Sequence, residues 1–571
     1  MPSLHQQACD SKRRYLQAQI DALVGEGYDV PLTPAEQTIH GLSLSDLVEE
    51  CTAGRVTPRS VLGAYGKKTL SAHRLTNCIS DFMFEEAVGK AEAEESKTGS
   101  TKTVLTGEFP LLGVPVSLKD TINIAGHDTT VGLARNVGHP VTTSAPMVRL
   151  LQNAGAILHV KTTVPAALIG IETESDVFGL TTNPYNTKHG VGASTGGGGA
   201  LLACGGSLVE IATDIGGSAR IPAHYCGVYG LKPSIGRFPM DGSVSSMPGL
   251  ESVQIVSGTM ARRLDDLEEF WKRVVGMKPW TYDFTCVPVP WRSEELELGE
   301  RKLKWGVIWE DGVCPPTPAC KRALSLVVES LKLQGHQVVD FTPPSIPDLL
   351  VTGYQLVFAD GGVQMRDSAL PGEALNPPLK STIALLALPR FFKNLLAWWN
   401  RSIDPFYATL LESMHPKTIV EERELCAKKD EMRGRWHERW SEEDLDFVLT
   451  VGHPLPALEN GTGEKASLIS SGYTFMFNIL DYTAGVLPVT FVDKVTDALP
   501  AGFMQSVEYN GMNAVAEGVY SVYDAEKMHG LPLGVQVVGR RMEEEKVIGG
   551  MKVVESALKE AGKVFLPRVL V

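Results

Sequence analysis

The sequence predicts an α/β fold, with helices and strands layered on one another rather than segregated into helical and sheet domains. Three observations carry this prediction. From about residue 110, short β-branched runs alternate with helical stretches. The unit "APMVRLLQNAGAILHV" sets a proline at a helix start, a glycine at its end and a strand directly behind. The 571 residues are 43% hydrophobic and 21% charged, enough apolar material for a sizeable core.

Taken in order, the first forty residues read as a helical arm ended by Gly25 and Gly27, so that an arm over 1–40 precedes a main domain over 41–571. Ser43 can cap a helix from Leu44 to Thr52 that Gly54 stops. Thr57 caps the next, with Pro58 at its first position, where a missing amide costs nothing. "GVPVSLKD", Gly113 to Asp120, is an apolar strand, and "SLVEIATD" is another. Residues 275–300, rich in proline and tryptophan, cross the surface. "KLKWGVIWEDG" reopens a strand, and "TPACKRALSLVVESLKLQGHQVVDF" supplies a helix and a further strand. Residues 345–445 are largely helical, "AGVLPVTFV" and "LPLGVQVVG" are the last strands, and "EEEKVIGGMKVVESALKEAG" is a closing helix.

A net charge of −14 with no basic block argues against a nucleic-acid partner. The amino terminus has no apolar core of the kind a signal peptide needs. The longest apolar run, Thr382 to Asn400, is interrupted by Pro389, Arg390 and Lys393, so no stable membrane insertion is expected. Nine cysteines with no CxxC pair and no clustering with histidine fit a reducing, cytoplasmic setting and offer no metal site.

Three segments carry candidate chemistry. Lys119 ends the first apolar strand. It is either a lysine snorkelling from a strand end or a buried one, kept neutral by desolvation and able to act as a base. "GVGASTGGGGALLACGG" has four consecutive glycines, Gly196 to Gly199, which make a poor helix start but suit a close approach of backbones. A dinucleotide loop is a weak reading there, because Thr195 stands where a third glycine would be needed. Ser194 lies at the mouth of the following helix, either as a simple N-cap or as a functional hydroxyl. In "ATDIGGSARIP", Gly216 and Gly217 let successive amides turn toward one point, as an oxyanion requires. Ser218 sits where a nucleophile would, unless this is only a tight turn with a surface serine. Asp214 and Arg220 flank it closely enough to pair and hold the turn, and no histidine is marked as the base of a triad.

Together "SLKD", "GASTGGGGA" and "TDIGGSARIPAHYCGVYGLKPSIGR" resemble the amidase signature family, and the 24-residue separation of Ser194 from Ser218 matches as well. "RLTNCISDF" and "VPVPW" are similar to its fungal acetamidase-type branch, and the resemblance runs from about residue 40 to the end. It implies a single large domain with a mixed, twisted central sheet covered by helices on both faces. Its catalytic core would span about 105–260, with a substrate-side helical region at about 345–445. It further implies a catalytic set of Lys119, Ser194 in a cis peptide and Ser218 as nucleophile. The amides of Ile215, Gly216, Gly217 and Ser218 would form the oxyanion hole, with Thr213, Asp214 and Arg220 in support and Leu168, Ile169 and Gly170 at the substrate.

The implied activity is hydrolysis of a carboxylic amide through a seryl acyl-enzyme, without metal or cofactor, by a protein that could be a homodimer. An amidotransferase subunit working with partner subunits and tRNA, or an inactive binding protein, are the alternatives. Departures from the family pattern include Ala193, Thr195, Ala219, His224 and Tyr225, together with Ala212 and Glu210 on the strand before the nucleophile. Glu210 is expected to pair with a basic residue or to face a polar cavity, since an unpaired buried carboxylate is costly, the alternative being a polar contact that helps shape the active site. In "PRFFKNLLAWWNR", Phe391, Leu395 and Trp398 share one helical stripe and Phe392, Leu396 and Trp399 another, which makes the helix either core or a wall of the substrate entrance.

Overall fold

Eleven strands form one mixed sheet at the centre of the computed structural model, which describes residues 3–98, 109–299 and 301–571. The start of the expected catalytic core, at about residue 105, lies outside them. The strand order is Ile79–Phe82, Ile157–Thr162, Pro115–Lys119, Val209–Asp214, Val256–Ala261, Tyr229–Lys232, Ala484–Phe491, Pro532–Val538, Phe447–Val451, Lys304–Val307 and Gln337–Asp340. Pro115–Lys119 runs parallel to both of its neighbours, the middle of the sheet is antiparallel, and the far end is parallel again. The helix–glycine–strand unit forms as expected: Pro146–Asn153 is helical, Gly155 turns with φ +85°, and Ile157–Thr162 follows.

Side-chain alternation along Val209–Asp214 places the core on both faces of the sheet. Val209 and Ile211 join the larger apolar cluster, while Ala212 faces a second one with Ala200, Leu201 and Leu202 of the Gly196–Ala203 helix. That helix explains its glycines. A Cβ on Gly197 would lie 2.4 Å from the amide nitrogen of Thr163, and one on Gly198 would lie 2.5 Å from the carboxyl carbon of Glu210. The helix therefore presses on the sheet backbone at a distance that side chains would forbid.

The first helix, Leu4–Gly25, is tied to the body by the buried Lys12, whose ammonium meets Asp81 at 3.1 Å. The helices Leu44–Thr52 and Pro58–Thr76 have the caps read from the sequence, Ser43 and Thr57. Between Ile346 and Glu442 the chain forms six helices, and no helix among the described residues is long and apolar enough to cross a membrane.

Candidate active site

Two loops and a strand end bring the candidate residues together. The Pro115–Lys119 strand delivers Lys119, which is fully buried; it does not snorkel. Its Nζ lies 2.8 Å from Ser194 Oγ, 2.9 Å from Thr213 Oγ1 and 3.2 Å from the Thr213 carbonyl. Ser194 follows a cis peptide bond from Ala193. The N-cap position of the glycine helix falls to Thr195, whose side chain caps nothing, so Ser194 is not the N-cap. The Thr195 amide donates to the Ser218 carbonyl at 3.0 Å, which fastens the loop of one serine to that of the other. Ser194, Thr213 and Ser218 line one small cavity, and Ser218 is half-buried rather than a surface residue.

Burial pushes Lys119 down to about 7, against the opposing pull of Asp214 and Glu210. A neutral amine at this position has two N–H groups for the oxygens of Thr213 and a lone pair left for the Ser194 hydroxyl. An ammonium would have to donate in all three directions.

The Ser218 turn is held by a buried ion pair. Arg220 Nη2 meets Asp214 Oδ1 at 2.8 Å and Nε meets Oδ2 at 3.0 Å. The rest of the guanidinium donates to the Thr474 carbonyl, Gln536 Oε1 and Asn478 Oδ1. Burial alone would raise the Asp214 carboxyl, but the charge of Arg220 and hydrogen bonds from Arg220 and Asn478 hold it well below the usual carboxylate range. Thr474 also donates to the Gly216 carbonyl at 2.6 Å. Thr474, Asn478 and Gln536 belong to none of the three candidate segments. Their signal is a polar residue inside the apolar runs "YTFMFNIL" and "PLGVQVVG".

Gly217 takes φ +124°, a conformation other residues rarely adopt. One expectation is corrected here. The Gly217 amide donates to Asp214 Oδ1 at 2.9 Å and is committed to holding the turn. Among the described residues, the amides of Ile215, Gly216 and Ser218 have no acceptor and remain available to an anion.

Ser218 opens onto an apolar cavity that also touches Leu168, Ile169 and Gly170. Ile221, from the same motif as Ser218, forms another wall, while Met247, Tyr354, Phe358 and Phe475 come from elements that no sequence motif marks. Tyr354, Phe358 and Leu468 also border a second apolar cavity, lined further by Leu385, Leu388 and Met414.

The Arg390–Asn400 helix is neither core nor a wall of this cavity, against both readings of its two stripes. Phe391, Trp398 and Trp399 are 72%, 70% and 66% exposed, and Phe392, Leu395 and Leu396 are exposed as well. What faces inward is Ala397, packed with Ala408 and Leu411, and Lys393, which donates to the carbonyls of Leu386 and Met414. A small face seats the helix closely, so its large side chains turn outward.

Glu210 also departs from expectation. It is fully buried with no cation at ion-pair distance among the described residues, and Thr162 supplies its hydrogen bond at 2.6 Å. His224 accepts the Gly534 amide at 2.8 Å and contacts the Leu455 carbonyl, and is part of the scaffold.

A model of the Amidase family matches residues 60–548. The chain belongs to the amidase signature family. This amidase is 32% identical to the acetamidase of Aspergillus oryzae over 524 residues, 90% of each chain. It is 34% identical to fatty-acid amide hydrolase 1 of Sus scrofa over 520 residues, 90% of this chain and 85% of that one. A solved fatty acid amide hydrolase superposes with a TM-score of 0.79 at 27% identity, covering 96% of this chain and 90% of its own. The amidase is therefore an amide-hydrolysing enzyme on a single α/β domain, and these relatives do not favour the amidotransferase or inactive-protein alternatives.

Proposed function

We propose that the amidase cleaves carboxylic amides with apolar acyl or amine groups through an acyl-enzyme on Ser218. The observation that carries the mechanism is the 2.8 Å contact between the buried, desolvated Lys119 and Ser194. Neutral Lys119 accepts the proton of Ser194 as Ser194 accepts that of Ser218, and Ser218 Oγ attacks the carbonyl carbon. The resulting oxyanion is met by the amides of Ile215, Gly216 and Ser218. On collapse, Ser194 passes a proton to the departing amine and recovers one from Lys119. Water then enters along the same relay, and ester hydrolysis returns Ser218 and Lys119 to their starting states. No metal or cofactor takes part in this scheme.

The apolar walls around Ser218, and the second apolar cavity beyond Tyr354 and Phe358, support a preference for hydrophobic amides over formamide. The names of the relatives, acetamidase and fatty-acid amide hydrolase, bracket a small and a long acyl group, and the length of the apolar lining favours the larger. Nine free cysteines, eight of them buried, support a reducing, cytoplasmic setting.

The test is direct. Ser218→Ala abolishes turnover and the covalent adduct, while Lys119→Ala and Ser194→Ala lower kcat by ~10²–10⁴-fold with the fold retained. Mass spectrometry of a trapped acyl-enzyme places the adduct on the peptide that contains Ser218, and an adduct elsewhere overturns the assignment. Because protonated Lys119 cannot act as a base, kcat/KM falls about tenfold per pH unit below about 7. Activity that instead rises as pH falls through that range removes Lys119 from this role.

A further inference from the structure

We propose that Glu210 is a positioning residue for the reaction, its carboxyl governing how much of Lys119 is uncharged at a given pH. The inference rests on Lys119 being the base, as proposed above. Glu210 stands opposite Ser117 on the adjoining strand, and Lys119 stands opposite Thr162 on the strand beyond. Glu210 Oε1 accepts from Thr162 Oγ1 at 2.6 Å, so the side chain crosses the whole width of the strand that carries Lys119. The Ser117 hydroxyl, directly opposite, also favours the ionised carboxyl. From above, the glycine helix closes on the same carboxyl, leaving no room for a side chain at Gly198. A carboxyl held over the lysine's own strand, walled off from water and lacking a cation, is a charge to which Lys119 responds.

The other groups around the pair are accounted for. Asp214, at the end of the Glu210 strand, is neutralised by Arg220 at 2.8 Å. Lys161, beside Thr162, is paired with Asp120 at 2.9 Å. His159 Nε2 donates to the Gly206 carbonyl at 2.9 Å, and burial lowers it to about 4, so it stays neutral. Cys78 lies where Gly197 approaches the sheet, and burial raises its thiol, so it too stays neutral. Neither the Gly196–Ala203 helix nor the Val256–Ala261 strand contributes a titratable side chain. Lys119 and Glu210 are thus the two uncompensated ionisable groups of this layer.

Their coupling has a definite sign. Ionised Glu210 attracts the ammonium form of Lys119, which cannot accept a proton, while neutral Glu210 leaves the amine free to do so. Burial raises Glu210 to about 7 and lowers Lys119 to about 7, so both change charge over one pH span and titrate as a pair.

The experiment measures kcat/KM against pH for the full-length enzyme with one apolar anilide. Glu210→Gln keeps the shape and removes the charge, so the acidic limb moves to lower pH by about one unit. The variant-to-wild-type ratio then rises about tenfold on passing from the plateau down the limb. Thr162→Val removes one of the two hydroxyls that favour the ionised carboxyl and moves the limb the same way by less. If Glu210→Gln does not fold, Thr162→Val decides. A limb unmoved in the folded variants, with only Tm lowered, makes Glu210 structural and overturns the inference. Lys119→Ala separates the two levels. Full activity in that variant removes the base itself, whereas an inactive Lys119→Ala beside unmoved limbs leaves the base and overturns this inference alone.

Discussion

The Ser218 turn and the Arg390–Asn400 helix invert the ordinary distribution of side chains in opposite ways. At the turn, Asp214, Arg220 and Lys119 are all fully buried. On the helix, two tryptophans and two phenylalanines stand in the open while Lys393 is buried. The difference lies in partners. The ion pair at the turn is matched, with Arg220 donating to five acceptors including both oxygens of Asp214, and the buried amine of Lys119 meets three oxygens. The helix seats its lysine on two carbonyls, while among the described residues its exposed rings meet one another, Phe391 with Phe392 and Trp398 with Trp399. Buried charge is stable where its hydrogen bonds can be counted, and apolar exposure is a property that the chain's own packing leaves standing.

Removing one side of the buried pair tests the first half of that comparison most severely. Arg220→Ala leaves Asp214 buried and unpaired, and should cost about 3–5 kcal/mol of stability in a denaturant titration. A loss near zero would mean that water reaches Asp214 and that the turn is not held by this pair. Next in size is Gly198→Ala, which drives a methyl group into the Glu210 carboxyl and should cost about 1–3 kcal/mol. Tolerance there would show that the glycine helix has room to retreat.

The smallest effect belongs to the other region. Trp398→Ala should change stability by no more than about 0.5 kcal/mol, because the ring is exposed. A loss of the size seen for a core tryptophan, about 3–5 kcal/mol, would mean that the helix is covered in solution and would erase the contrast.

Much of this was legible in the sequence, for reasons that differ by region. Lys119, Ser194 and Ser218 lie in motifs whose glycines and β-branched strands are local, so short windows reveal them. The strands Tyr229–Lys232, Val256–Ala261 and Phe447–Val451 carry little sequence signal because they are four to six residues long and fully buried, which removes the alternation that marks a half-exposed strand. The outward face of Arg390–Asn400 was hidden for a related reason. A hydrophobic stripe shows which residues share a side, but the side that docks here was chosen by Ala397 and Lys393. The Gly217 amide is not legible in the sequence because the carboxylate that takes it, Asp214 three residues earlier, also serves Arg220, and no pattern shows that one carboxylate holds both.

The partners of Arg220 carry a consequence for how the protein comes into being. Asn478 lies 258 residues further along the chain and Gln536 316 residues further. Synthesis runs from the amino terminus, so a ribosome has polymerised Ser218 and its glycines long before it reaches either partner. Until Gln536 has emerged, the guanidinium lacks part of its set, and the turn below it is an incomplete assembly. A nascent chain of 500 residues, with every motif residue already in place, would still be waiting for the strand that completes the Arg220 site.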